Sequence, residues 1–268
     1  MKSYNPPNPL DALQYFITPT HDCSYLEQRS ARMVFLDPAI KKIDTHTLSE
    51  LSRTGFRRSG DFIYRPECHL CRQCLSSRIP VAQFQLNSQQ KKTLKRNQDL
   101  RLNIRSTQDA QDIHYALYEK YICLRHRDGD MYPPSHDQFE KFLLSDCTES
   151  FFLELWQEDK LLSVATCDLL DDGLSAVYTF FEPDEQKRSL GVYSILQQIE
   201  YVKSLGLDYL YLGYWVPHAR RMNYKTQYTP IEILIDGQWI SITEPLSSDE
   251  TQRLGDSLLT TLPQHFKR

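Results

Sequence analysis

The sequence predicts an α+β protein: a mixed sheet with flanking helices over residues 101–268, preceded by a smaller, irregular, cysteine-containing unit over residues 1–100. Three observations lead there. Cysteines and basic residues crowd into the first hundred positions, where long periodic segments are scarce. The strand-like runs SFFLELWQ, LLSVATCDLL and LSAVYTFFEP follow one another across the turn signals EDK and DDG, the pattern of an antiparallel meander. A helical period then replaces the strand period from Ser189 onward.

Taken in order, AQDIHYALYEKYICLRH predicts a helix with Ile113, Ala116, Leu117, Lys120, Tyr121 and Leu124 near one face, and SHDQFEKFLL a second helix capped by Ser135. The meander comes next. In SLGVYSILQQIEYVKSLGLD the residues Val192, Ile195, Leu196, Ile199 and Val202 share a face and Gly206 supplies the stop. DYLYLGYWV then reads as a strand, IEILIDGQWISI as two short strands around an Asp-Gly turn, and SSDETQRLGDSLLT as a polar terminal helix.

Composition narrows the function classes. A chain of 268 residues with 40% hydrophobic content can bury a substantial core. MKSYNPPNPLDALQYF lacks the continuous apolar run of a signal peptide, and no segment approaches the roughly eighteen apolar residues of a membrane span, so a soluble, cytoplasmic protein without a membrane partner is expected. Seven cysteines, an odd number, argue for reduced thiols rather than a disulfide framework. The net charge of −4 conceals a basic stretch: from Arg53 to Arg101 there are eleven Lys and Arg against three acids. Such a local excess attracts a polyanion even in an acidic protein, because screening favours nearby charge.

Two constellations carry chemistry. RPECHLCRQC places Cys68, Cys71 and Cys74 at a strict two-residue spacing that suits zinc or an iron-sulfur cluster, with Cys23 as a fourth ligand or His69 in its stead. Cys123, Cys147 and Cys167 lie in apolar periodic segments and read as core. The order of meander, helix and departing strand resembles the N-acetyltransferase (GNAT) fold, in which R/Q-x-x-G-x-G/A at the helix start holds the cofactor pyrophosphate on backbone N–H groups. Here that stretch is Arg188-Ser189-Leu190-Gly191-Val192-Tyr193, and Tyr193 replaces the last small residue, which argues for an acyl donor other than coenzyme A.

The segments CSYLEQRSAR, LSRTGFRRSGDFIYRPECHLCRQCLSSRIPVAQF, YEKYICLRHRDGDM, RSLGVYSI and YLYLGYWVPHARRMNYKTQYTPIEIL together resemble the arginyl-tRNA-protein transferase family, over nearly the whole chain. The compact length and the C-x2-C-x2-C variant look like its bacterial branch, which the resemblance implies moves leucine from leucyl-tRNA to proteins beginning with Asp or Glu and so feeds the N-degron degradation route. One departure stands out: where eukaryotic relatives resemble C-x2-C at the first motif, Leu26 occupies the second cysteine position. Aminolysis of an activated ester runs downhill and implies neither ATP nor CoA.

On that reading each site residue has an expected role. Glu182, at the end of AVYTFFEP, is the candidate base, with Tyr193 and Tyr214 placed to protonate or orient the departing ribose hydroxyl. Arg29 and Arg32, then Arg125 and His126, are candidates to grip the acidic side chain of the acceptor. Arg57, Arg58, Lys91, Lys92, Lys95, Arg96, Arg188, Arg220, Arg221 and Lys225 are candidate tRNA phosphate contacts. Three alternatives remain open at this level: arginyl transfer by the same mechanism, a CoA-dependent N-acetyltransferase, and a non-catalytic zinc module that binds RNA.

Overall fold

A computed structural model describes residues 9–37 and 42–259. Among them the chain runs β1 (Tyr15–Ile17), β2 (His21–Asp22), β3 (Ser30–Ala31), β4 (Met33–Leu36), α1 (Thr45–Arg53), β5 (Arg57–Ser59), β6 (Phe62–Pro66), β7 (Leu75–Pro80), α2 (Ser88–Arg96), β8 (Arg101–Ser106), α3 (Asp112–Arg125), α4 (His136–Leu143) and β9 (Ser150–Gln157). It continues through β10 (Lys160–Leu170), β11 (Gly173–Phe181), α5 (Leu190–Ser204), β12 (Tyr209–Trp215), β13 (Ile231–Ile235), β14 (Gln238–Ile242) and α6 (Ser248–Ser257). The result is the α+β architecture expected, a large mixed sheet with flanking helices.

That sheet has the strand order β14-β13-β7-β12-β11-β10-β9-β8. The meander β9-β10-β11 is antiparallel, and β12 returns parallel to β11 after α5. The parallel pairing is short: Gly173–Ser175 meet Tyr209–Tyr211, after which β12 stays with β7 through a bulge between Tyr211 and Gly213. Beyond Ser175, β11 keeps β10 as its partner and a wedge opens between β11 and β12.

Along β10, Ala165 and Cys167 pack toward Tyr193 of α5, while Val164 packs with α3 and α4 and Leu170 with α1. The sheet is therefore covered on both sides, and its alternation reflects the period of two in a strand. Helix α4 begins at Ser135, whose side chain accepts from the Gln138 N–H. The Asp236-Gly237 turn has positive φ at both residues (49° and 79°), as a two-residue hairpin requires.

Two expectations change. The buried face of α3 is His114, Leu117, Tyr118, Tyr121 and Ile122, whereas Ile113 and Leu124 are 38% and 54% exposed. A polar anchor sets that rotation: His114 Nε2 lies 2.8 Å from the fully buried Glu154 carboxylate, which also accepts from Arg105, Asn103 and Trp156. The first hundred residues are also more regular than expected. They build a second sheet, β1-β4-β6-β5, and contribute β7 to the interior of the large one, so a cut at residue 100 would part β7 from both of its neighbours.

Candidate active site

A cavity of about 350 Å³ lies where the small sheet meets β12 and the β13-β14 hairpin. Its wall includes Arg29, Arg32 and Arg65, the thiols of Cys23, Cys68, Cys71 and Cys74, and Tyr214, above an apolar floor that includes Leu75, Val216 and Leu234. Side chains selected from the sequence for quite different purposes thus share one space. Glu67 in this wall pairs with Arg65, and Arg32 donates to the Glu67 carbonyl. Arg29 lines this cavity and has no ion-pair partner among the described residues.

The four thiols are free. Burial, followed by the neighbouring sulfurs, pushes the Cys74 thiol far up, and burial also raises Cys71. The donor chemistry suits a thiophilic metal. The arrangement does not: among the described residues no three His, Cys, Asp or Glu side chains gather closely enough to hold an ion. His69 is exposed. Cys147 and Cys167 are buried core residues, and Cys123 is half-buried.

On the other side of β12 is the wedge. Phe181 at the end of β11 packs against Tyr121 (4.9 Å between ring centroids), and Tyr121 against His126 (5.0 Å). A Cβ on Gly191 would stand 3.1 Å from the Phe181 ring, so this glycine lets α5 begin against an aromatic side chain. Lys225, in the 3₁₀ segment Arg220–Gln227, points inward and donates to the Tyr214 carbonyl. Burial, and then the Arg57 guanidinium, push its ammonium down to about 7.

Several selected residues prove structural. Lys225 is buried and so makes no phosphate contact. Arg57 is buried too; its Nη1 donates to the Phe56 carbonyl, while Nε and Nη2 have no hydrogen-bond partner among the described residues. Arg58 donates from Nε and Nη2 to Asp168, both at 2.8 Å, with neither side chain exposed. Arg188 is held bidentately by Asp99 at 2.9 Å and by Glu185. Burial or a carboxylate partner thus occupies each of these three arginines.

The candidate catalytic groups are corrected for related reasons. Tyr193 packs into the core between α5 and the sheet beside Leu153 and Ala165. The Tyr214 hydroxyl donates to the Gly55 and Tyr64 carbonyls, which makes it a bolt between β12 and the small sheet. Glu182 accepts from Lys120 at 2.6 Å and lies 4.0 Å from Lys160, in a shallow groove apart from the arginine-thiol cavity. Its carboxylate clamps the corner of α3, β10 and β11 rather than facing the other candidates. The exposed cations that remain are Lys91, Lys92, Lys95 and Arg96 on α2, and Arg125, Arg220 and Arg221 around the wedge.

Comparison with known proteins assigns the chain to a family. Two family models match, "Arginine-tRNA-protein transferase, N terminus" over residues 21–92 and "Arginine-tRNA-protein transferase, C terminus" over residues 113–235. The chain belongs to the arginine-tRNA-protein transferase family. It is similar to the aspartate/glutamate leucyltransferase of Acinetobacter baumannii, with 69% identity over 99% of this chain and 98% of that protein. The protein of the same name from Pseudomonas fluorescens is 51% identical over 86% of this chain and 97% of its own length. Among solved structures, L-PGS from Bacillus licheniformis is a distant likeness at 7% identity and TM-score 0.42, over 59% of this chain and 54% of that one.

As an aminoacyltransferase of this family, the protein takes an aminoacyl-tRNA donor and a protein acceptor. Among the described residues no helix is long and apolar enough to cross a membrane. In the sequence Tyr121 reads as a packed residue of a helix, and Arg65 and Tyr224 stand in no motif that sets their side chains apart.

Proposed function

We propose that this transferase moves leucine from leucyl-tRNA to the N-terminal amine of proteins beginning with Asp or Glu, marking them for N-degron degradation. The observation that carries the proposal is the near full-length identity to relatives bearing that name. The meander, α5 and the departing β12 follow the order of an N-acetyltransferase-like domain, and the wedge between β11 and β12 is where such a sheet admits an acyl donor. Gly191 accommodating Phe181 supports a donor other than CoA, because the glycine approaches a ring where that motif would approach a pyrophosphate.

The arginine-lined cavity suits the acceptor. A guanidinium can grip a carboxylate with two parallel hydrogen bonds, and Arg29, with Arg32 beside it, offers that fork. The amine attacks the ester carbonyl, an amide forms, and the ribose oxygen leaves carrying the proton the amine gives up. An α-amine with an ordinary pKa of about 7.7 to 8.0 is partly neutral near pH 7, so positioning of the two substrates dominates the rate. The test is incubation with charged total tRNA and a peptide beginning with Asp, read by product mass. Addition of leucine supports the proposal; addition of arginine would overturn the donor, and acetyl label taken from acetyl-CoA would overturn the reaction class.

A further inference from the structure

Around the mouth of the wedge the structure gathers aromatic rings and guanidinium groups from three elements. Tyr121, Arg125 and His126 come from the end of α3, Phe181 from the end of β11, and Arg221 and Tyr224 from the 3₁₀ segment. Arg125 lies over the Phe181 ring with its Cζ 5.6 Å from the centroid. Burial first, and then the Arg125 guanidinium, push the pKa of the half-buried His126 down; Asp128 opposes them, and Arg221 adds a smaller push in the same direction as Arg125. Tyr224 is 48% exposed over the whole residue, while burial, and then Tyr121, push its hydroxyl up in pKa. Lys225, buried next in sequence, bonds the segment to the Tyr214 carbonyl of β12.

We infer that this cluster is the site for the unpaired 3′-terminal nucleotides of the tRNA donor, with a base stacked on the exposed ring of Tyr224 beside the half-buried Phe181, and phosphates met by Arg125 and Arg221. Single-stranded nucleic acid is held by this combination of π-faces and cations, and the 3′ end of every tRNA is a short single strand ending in CCA. The placement follows from the geometry, since the ester sits on the last nucleotide and must reach the wedge. Arg125 and His126 are thereby assigned to the donor and not to the acidic side chain of the acceptor. An exposed guanidinium stacked on a ring favours a base and its phosphate over a lone carboxylate, for which the arginine-thiol cavity is the better-enclosed site. The inference rests on the tRNA-dependent transfer proposed above.

The test uses the full chain, with Tyr224→Ala, Tyr224→Phe and Arg221→Gln variants. Binding is measured with a labelled RNA hairpin carrying an unpaired CCA 3′ end and with the same hairpin cut blunt. The parent should bind the overhang form more tightly. Tyr224→Ala and Arg221→Gln should each erase most of that preference and raise KM for leucyl-tRNA about tenfold, with KM for an Asp-initiated peptide unchanged and Tyr224→Phe retaining the parent's behaviour. Equal binding of both hairpins by the parent, or a Tyr224→Ala variant that keeps the preference, would overturn the assignment. If the parent transferred leucine normally while either result held, the function would stand and this site alone would fall. A parent that took no acyl group from any charged tRNA would remove the premise of both.

Discussion

Lys225 illustrates how a single residue changes meaning between chain and fold. In RRMNYK it looks like one more phosphate contact; in the structure it is buried, bonded to a backbone carbonyl and placed near the buried Arg57 without a carboxylate partner of its own. A folded-state pKa of about 7 lies below the ordinary lysine value of about 10.4, so between those limits the unfolded chain holds the extra proton. The residue therefore opposes folding fully below pH 7, and that opposition fades as pH rises toward 10. Lys225→Met keeps the aliphatic stem and removes the titration. Urea unfolding at a series of pH values should show the parent gaining roughly 3 kcal/mol relative to the variant between pH 7 and 10. A parent-variant difference that stays flat would mean the lysine titrates as if exposed.

At the level of elements, the basic stretch divides into two populations. Arg53, Arg58, Arg65, Arg72 and Arg78 pair with Asp172, Asp168, Glu67, Asp236 and Glu232, and Arg57 is buried. Arg58 ties the small sheet to the large one, Arg53 ties α1 to the β10-β11 turn and Arg72 reaches the hairpin, while Arg65 pairs locally and Arg78 within the large sheet. Helix α2 is different: Asn87 and Gln90 form its capping box, Thr93 faces inward, and Lys91, Lys92, Lys95 and Arg96 face solvent. Replacing those four by glutamine should raise KM for leucyl-tRNA and lower the log-log salt slope by roughly 0.7 to 0.9 for each phosphate no longer neutralised, with the rate at saturating tRNA little changed. Initial rates across a salt series provide the measurement. An unchanged slope would leave α2 as a solvated face and place the phosphate track entirely around Arg220 and Arg221.

For the molecule as a whole, the two sheets are interlocked. β7 runs between β12 and β13, Tyr214 bonds across to Gly55 and Tyr64, and the buried Arg58 of β5 meets Asp168 of β10, which also accepts from Ser150 at 2.6 Å. Removing one partner of such a pair leaves the other charge buried alone, at a cost of about 3 to 5 kcal/mol. Asp168→Asn should lower Tm by on the order of 10 °C. Because the pair bridges both sheets, calorimetry of the variant should still show one transition. Two resolved transitions would mean that the N-terminal sheet and the large sheet unfold independently.

Much of the fold was legible because it rests on local chemistry. The period of two in SFFLELWQ and LSAVYTFFEP, the helical period ending at Gly206, the Ser135 cap and the Asp236-Gly237 turn each depend on neighbours a few residues away, so the chain alone determined those elements and their order. The cysteine and arginine motifs marked Arg29, Arg32 and the thiols for separate roles, and only the fold brings them into one cavity wall. The face that α3 buries was decided elsewhere, because Glu154 lies forty residues away in sequence and its pull on His114 exists only once β9 is in place. Tertiary structure also decided which arginines stay free. Whether a guanidinium meets a carboxylate, a carbonyl or water depends on partners up to 164 residues distant, as with Arg72 and Asp236, and a count of charge along the chain contains no such distances.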